Sequence, residues 1–162
     1  MSISKKVILV GHFGVGKTSL IRRFVHQKFS DDYLTTIGVK IDKKVVKAGS
    51  TEVNLIIWDI AGETSQQKIP KSYHLGAHGI FYVFDITRPS TYQNLAEQMD
   101  YFRELLPDAN LEIVANKGDL LTVEEQKEIL ETIDFQEVSV TSAKTGENVE
   151  NLFSRLARAM LK

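Results

Sequence analysis

The sequence predicts an α/β fold: a six-stranded, mostly parallel sheet with five helices spread over both faces. Three observations carry that reading. Short continuous apolar runs recur along the chain, as expected of strands buried on both faces. Stretches with apolar residues at helical spacing separate them. A glycine-rich segment joins the first such run to the first such stretch.

The elements follow in order. Residues 7–10 form a β-branched run that stops at Gly11, and residues 20–25 carry apolar positions at helical spacing. Residues 39–46 alternate weakly, and Gly49-Ser50 is a turn signal before the run at 53–58. These two runs predict a hairpin that forms the antiparallel edge. Residues 80–84 and 111–115 read as buried strands, and 135–140 as the last strand. Helical periodicity marks residues 92–106, 123–133 and 149–161, with Asn148 or Glu147 as a cap for the final helix. In such sheets ligands bind beyond the carboxyl ends of the strands.

At 162 residues, with 43% hydrophobic and 25% charged content, the chain suits a single domain spanning residues 1–162. Basic and acidic residues nearly cancel, 20 against 21, which gives no reason to expect nucleic acid or a strongly anionic membrane as a partner. The absence of cysteine excludes disulfides, thiolate metal sites, a cysteine nucleophile and prenylation or palmitoylation of this chain, so no lipid anchor is expected on it. The N-terminus lacks a signal-peptide core, and no apolar run approaches the length of a membrane span. A cytoplasmic monomer is the expectation.

Gly11-His12-Phe13-Gly14-Val15-Gly16-Lys17-Thr18 fits the phosphate-binding pattern G-x-x-x-x-G-K-[ST] in full, after a strand and at the start of a helix. Glycines let the backbone N–H groups of Gly14, Val15, Gly16 and their neighbours through Ser19 converge on phosphate oxygens. The helix start adds its positive dipole end. Lys17 has the reach for the β- and γ-phosphates, and Thr18 has the hydroxyl for Mg²⁺.

Asp59 ends the run at 53–58, where an acid suits Mg²⁺, and Gly62 completes Asp-x-x-Gly, offering a backbone N–H to a γ-phosphate. Thr36 lies in a polar loop and can join Mg²⁺ when the γ-phosphate is present and leave when it is gone. Asn116-Lys117-Gly118-Asp119 follows the strand at 111–115. Asp119 can accept from guanine N1–H and its exocyclic amine, a pair of donors that adenine lacks. Lys117 can lay its stem over the purine, and Asn116 can bridge to the phosphate loop. In Thr141-Ser142-Ala143-Lys144 the Ala143 N–H is a candidate donor to guanine O6, with Lys144 covering the other face of the base.

These motifs, in this order, resemble those of the Ras superfamily of small GTPases, and the Rab family most closely. The segments GHFGVGKTSL, TTIGV, WDIAGE, SYHLGAHGIFYVFDIT, NKGD and TSAK carry the likeness across essentially the whole chain. The resemblance implies a GTPase domain of the P-loop type that binds GTP, GDP and Mg²⁺. Residues 30–39 are then switch I and 60–71 switch II. Phe29 matches the aromatic that packs edge-on against guanine, and Tyr33 the tyrosine that closes over the phosphates. Effectors contact the two switches, and an exchange factor and a GTPase-activating protein act on the cycle.

Three departures stand out. Glu63 occupies the position of the family's catalytic glutamine. An anionic glutamate only accepts hydrogen bonds, so slow hydrolysis is expected. Phe13 stands where Ras has glycine, near the path of an arginine finger. Ile41 replaces the phenylalanine of the Rab aromatic triad, whose other members are Trp58 and Tyr73. The chain also ends at its last helix without the prenylated cysteines of Rab proteins. That fits either a removed tail or a tail-less Rab-like protein of prokaryotic type.

Two other readings were weighed. One is a GTP-binding interaction module with negligible hydrolysis, favoured by Glu63. The other is a P-loop phosphotransferase, which would need an arginine-rich lid that the six scattered arginines do not form. The four histidines show no metal spacing.

Overall fold

The computed structural model describes residues 2–29, 38–61, 70–135 and 137–162. Tyr33, Thr36, Gly62 and Glu63 lie outside the described residues. The strands are β1 (Ser2–Val10), β2 (Val39–Ala48), β3 (Thr51–Ile60), β4 (Gly79–Asp85), β5 (Asn110–Asn116) and β6 (Val138–Val140). The α-helices are α1 (Lys17–His26), α2 (Leu95–Leu105), α3 (Val123–Thr132) and α4 (Val149–Ala159). The expected number of helices was five. The described residues hold four α-helices, together with 3₁₀ turns at Lys71–Tyr73, Pro89–Thr91 and Gly118–Leu120.

The strands form one sheet in the order β2-β3-β1-β4-β5-β6. β2 pairs antiparallel with β3 from Val39↔Ile60 to Ala48↔Thr51. Every other pairing is parallel. Every residue of β4 is buried, which explains why its sequence is an uninterrupted apolar run.

Two apolar layers sandwich the sheet. On one side Val7, Leu9, Leu55, Ile57, Phe81 and Val83 meet α1 and α4. There Phe24 stacks on Phe153 with ring centroids 3.9 Å apart. On the other side Ile8, Ile80, Tyr82, Phe84 and Ile113 meet α2, with partly buried α3 residues packed against them. The alternation of Val7 and Leu9 against Ile8 and Val10 is the two-residue period of a strand between two layers.

Several boundaries differ from the sequence reading. β6 spans three residues because its pairing with β5 covers only Ile113↔Val138 to Ala115↔Val140. Phe135 instead closes a turn, its N–H donating to the Ile133 carbonyl at 2.9 Å. α2 starts at Leu95 because Pro89–Thr91 form a 3₁₀ turn and Tyr92, at φ −134° and ψ 1°, lies outside helical geometry. Asn148 holds the cap position of α4, but its amide donates to the Val140 carbonyl at 3.1 Å and makes no cap bond. α3 carries a full capping box between Thr122 and Glu125, which helical periodicity alone does not mark.

Candidate functional site

The carboxyl ends of β1, β3, β4, β5 and β6 lie at one end of the sheet, and the loops leaving them form the site. The first of these is the turn of residues 11–16 between β1 and α1. A Cβ at Gly11, whose φ is +142°, would lie 2.1 Å from the Val83 carbonyl oxygen. A Cβ at Gly16, whose φ is +103°, would lie 2.2 Å from Asn116 Nδ2. Both glycines are therefore required for the loop to seat against β4 and β5. α1 opens with the Leu20 N–H to Gly16 carbonyl bond at 2.9 Å and has no side-chain cap. Its first amides thus form the kind of helix start that suits an anion.

Lys17 is buried and folds back across the loop. Its Nζ donates to the carbonyls of Gly11 and His12, each at 3.0 Å. Burial lowers its pKa to about 8, with the nearby Asp59 carboxylate acting in the opposite direction. Phosphate oxygens would relieve that desolvation. Thr18 Oγ1 donates to Asp59 Oδ2 at 2.5 Å. A hydroxyl and a carboxylate side by side are hard oxygen donors, and they fit Mg²⁺ when phosphate oxygens and water complete its shell. No cluster of three or more His, Cys, Asp or Glu suited to a metal occurs among the described residues.

The second half of the site is built on β5 and the turn after β6. Asn116 is buried at the end of β5. Its Nδ2 donates to the Val15 carbonyl at 3.0 Å, tying this half to the phosphate loop. Its Oδ1 accepts from Thr141 Oγ1 at 3.1 Å and from the Ala143 N–H at 3.3 Å. Ser142 Oγ donates to Asp119 Oδ1 at 2.8 Å, which orients the carboxylate. Lys117 is a non-glycine residue at φ 66°, ψ 31°, a costly conformation that aims its side chain at the phosphate loop. Its Nζ donates to the Gly14 carbonyl at 3.0 Å and pairs with Asp85 Oδ2 at 3.1 Å. Lys144 is exposed, Ser19 half-buried, and Phe29 rests against the core layer beside α1.

Asp85, Arg88, His12 and Arg23 were not singled out from the sequence as site residues. Asp85 ends β4 as Asp59 nearly ends β3, so an acid closing an apolar run was the available signal. The buried Asp85 accepts from Thr87 Oγ1 at 2.6 Å besides pairing with Lys117. Arg88 Nη1 donates to the carbonyls of Phe13 at 3.4 Å and Gly14 at 3.3 Å. The Gly14 carbonyl thus receives two cations. Burial, then Lys17 and Arg88, push the His12 imidazole below its ordinary range.

Away from the cleft, Ile41 is exposed and sits opposite Trp58 in the β2–β3 register. The Trp58 and Tyr73 rings are 6.4 Å apart, and the Lys6 ammonium lies 3.7 Å over the Trp58 ring. No helix among the described residues is long and apolar enough to cross a membrane.

Residues 6–162 match the model of the Ras family. The chain is 37% identical over 163 residues to Ras-related protein Rab-4A of Bos taurus, covering 96% of this chain and 74% of that protein. It is 38% identical over 162 residues to Ras-related protein Rab-4B of Homo sapiens, covering 96% and 76%. It is 34% identical over 162 residues to Ras-related protein Rab-1 of Theileria parva, covering 96% and 73%.

Proposed function

The chain belongs to the Ras family, and on that premise we propose a guanine-nucleotide switch that hydrolyses GTP slowly and engages effector proteins in its GTP state. It is a GTP-binding GTPase of Rab-like type. The observation that best supports the nucleotide site is Asn116. One buried side chain joins the phosphate loop, through Val15, to the base-reading turn, through Thr141 and Ala143. A ligand with a diphosphate at one end and a purine at the other matches that construction.

In this reading Lys17 turns from the Gly11 and His12 carbonyls to the phosphate oxygens. Thr18 and Asp59 would hold Mg²⁺, and Thr36 would join them in the GTP state. Mg²⁺, when bound, supplies neutralisation of charge on the phosphate oxygens. The backbone of Gly14 to Ser19 cradles the phosphates, and Gly62 offers its N–H to the γ-phosphate. Asp119 reads the guanine edge, Lys117 and Lys144 flank the ring, and Ser142 holds Asp119. Phe29 and Tyr33 close over the nucleotide. Water would attack the γ-phosphorus in line, and Glu63 holds the sequence position of the family's water-orienting glutamine. As an anion Glu63 repels the γ-phosphate and donates nothing to the developing charge. Loss of the γ-phosphate frees Thr36 and Gly62, and both switches relax. Partners are effectors at switch I and switch II, an exchange factor and a GTPase-activating protein, met by a cytoplasmic monomer. Ile41 alters the effector face, so partner identity does not carry over from proteins with an aromatic there.

Phosphate release in a single turnover, followed over hours, tests this. Slow release is expected, and Glu63→Gln should quicken it by about tenfold or more. Unchanged or slower release in Glu63→Gln would remove Glu63 as the cause. Release indistinguishable from the uncatalysed rate in the unaltered protein would favour the second reading, a GTP-binding interaction module with negligible hydrolysis. Glu63 itself is the observation that keeps that reading in play.

A further inference from the structure

The last turn of α1 carries Arg23, whose side chain crosses to the turn after β6. Its Nε donates to the Ala143 carbonyl at 2.8 Å, and its Nη2 donates to the Lys144 carbonyl. One planar fork thus holds two consecutive carbonyls, a geometry that lysine cannot reproduce. The turn is otherwise closed on itself. The Gly146 N–H donates to the Ser142 carbonyl at 2.8 Å, and the Thr145 N–H to Ser142 Oγ at 3.0 Å. Gly146 has φ +85°, and a Cβ there would lie 3.5 Å from Arg23 Cδ. The arginine stem therefore runs alongside the turn at ordinary contact distance.

The consequence follows from peptide planarity. In a trans peptide the N–H points opposite to the carbonyl of the preceding residue. A guanidinium that fixes the Ala143 carbonyl on the outside of the turn therefore fixes the Lys144 N–H on the inside. The Ala143 N–H is also turned inward, 3.3 Å from Asn116 Oδ1. That length leaves it able to share a second acceptor. α1 starts at Lys17 and Thr18 and carries the residue gripping this turn in its last turn, so one rigid helix spans the two halves of the site.

We propose that Arg23 is a positioning residue for base specificity, holding the Ala143–Lys144 turn so that its N–H groups meet the six-position oxygen of guanine. This rests on the guanine-nucleotide reading given above. Asp119 would read the opposite part of the base edge from a separate turn, Gly118–Leu120, and Arg23 bonds the Ala143 and Lys144 carbonyls rather than the Ser142 hydroxyl that holds Asp119.

The test uses the full chain, unaltered and as Arg23→Ala and Arg23→Lys, with competition binding of GDP, 6-thio-GDP and IDP. The thio analogue changes only the six-position acceptor. IDP lacks only the exocyclic amine that Asp119 accepts from. The unaltered protein should prefer GDP over both. In Arg23→Ala, GDP should bind about tenfold more weakly. Its preference over 6-thio-GDP should largely vanish, while its preference over IDP stays within about twofold. Arg23→Lys should lie between, and it serves if the alanine variant does not fold. Equal loss of both preferences, or no change in the GDP to 6-thio-GDP ratio, would overturn the role of Arg23. So would an unaltered protein that reads the amine but is indifferent to the thio substitution. Failure of the unaltered protein to separate GDP from IDP would instead sink the guanine reading itself.

Discussion

The two halves of the cleft are held together by different chemistry. In the phosphate half the loop is backbone, and the side chains around it donate to its carbonyls. Lys17 takes those of Gly11 and His12, Arg88 those of Phe13 and Gly14, Lys117 that of Gly14, and Asn116 that of Val15. Donors outside the loop occupy its carbonyls, which suits a loop whose N–H groups serve an anion. In the base half the important bonds join side chains, Thr141 to Asn116 and Ser142 to Asp119. On the proposed function, the first half would grip any nucleotide through its phosphates. The second would tell one base from another, since its acceptor carboxylate is held in direction by Ser142.

That contrast can be broken by experiment. The largest effect belongs to Lys17→Ala. It should weaken GDP and IDP equally, by about a thousandfold, because charge-assisted bonds to phosphate are lost and the base edge is untouched. A change in the GDP to IDP ratio, measured by competition, would contradict the division of labour. Next comes Asp119→Asn, which should reduce the GDP over IDP preference by about a hundredfold. Its affinity for triphosphate and diphosphate forms should fall in the same proportion, as read from paired dissociation constants.

How much of this was legible in the sequence follows from the same division. The phosphate half is local. Gly11, Gly16, Lys17 and Thr18 sit within one turn, and their backbone demands are written as residue types at fixed spacing. The fold was legible for a similar reason, because strands buried on both faces leave unbroken apolar runs such as Ile80 to Phe84. What was missed depends on distance along the chain. Arg23 meets Ala143 across 120 positions, and Arg88 meets Phe13 across 75. No periodicity encodes such pairs. β6 was overextended because Phe135 is apolar whether it pairs in a strand or covers a core edge. The sequence offers Asn148 or Glu147 as the cap of α4; Asn148 holds the position, but at a left-handed φ of 62° its amide serves the Val140 carbonyl.

Two smaller effects sharpen the comparison. Asn116→Ala strips partners from both halves at once. It should lower stability by about 2 kcal/mol and weaken every nucleotide, because the buried Val15 carbonyl and Thr141 hydroxyl lose a partner. Thermal unfolding of the nucleotide-free and GDP-bound protein would show it. Unaltered melting would deny Asn116 its joining role. Arg88→Ala should be mildest, quickening GDP release only about threefold. Its bonds are long, its head is half-exposed, and Lys117 still holds the Gly14 carbonyl. A larger effect on the GDP to IDP ratio than on release would move Arg88 from the phosphate half to the base half.

The central claim is that a diphosphate and a guanine are recognised together. Titrating the nucleotide-free protein with GDP and with ADP, each with Mg²⁺ and after its chelation, tests it most directly. The account predicts that GDP binds at least about a thousandfold tighter than ADP. Chelation should weaken both while leaving the ratio nearly constant. Equal affinity for the two bases, or tighter binding of ADP, would contradict it.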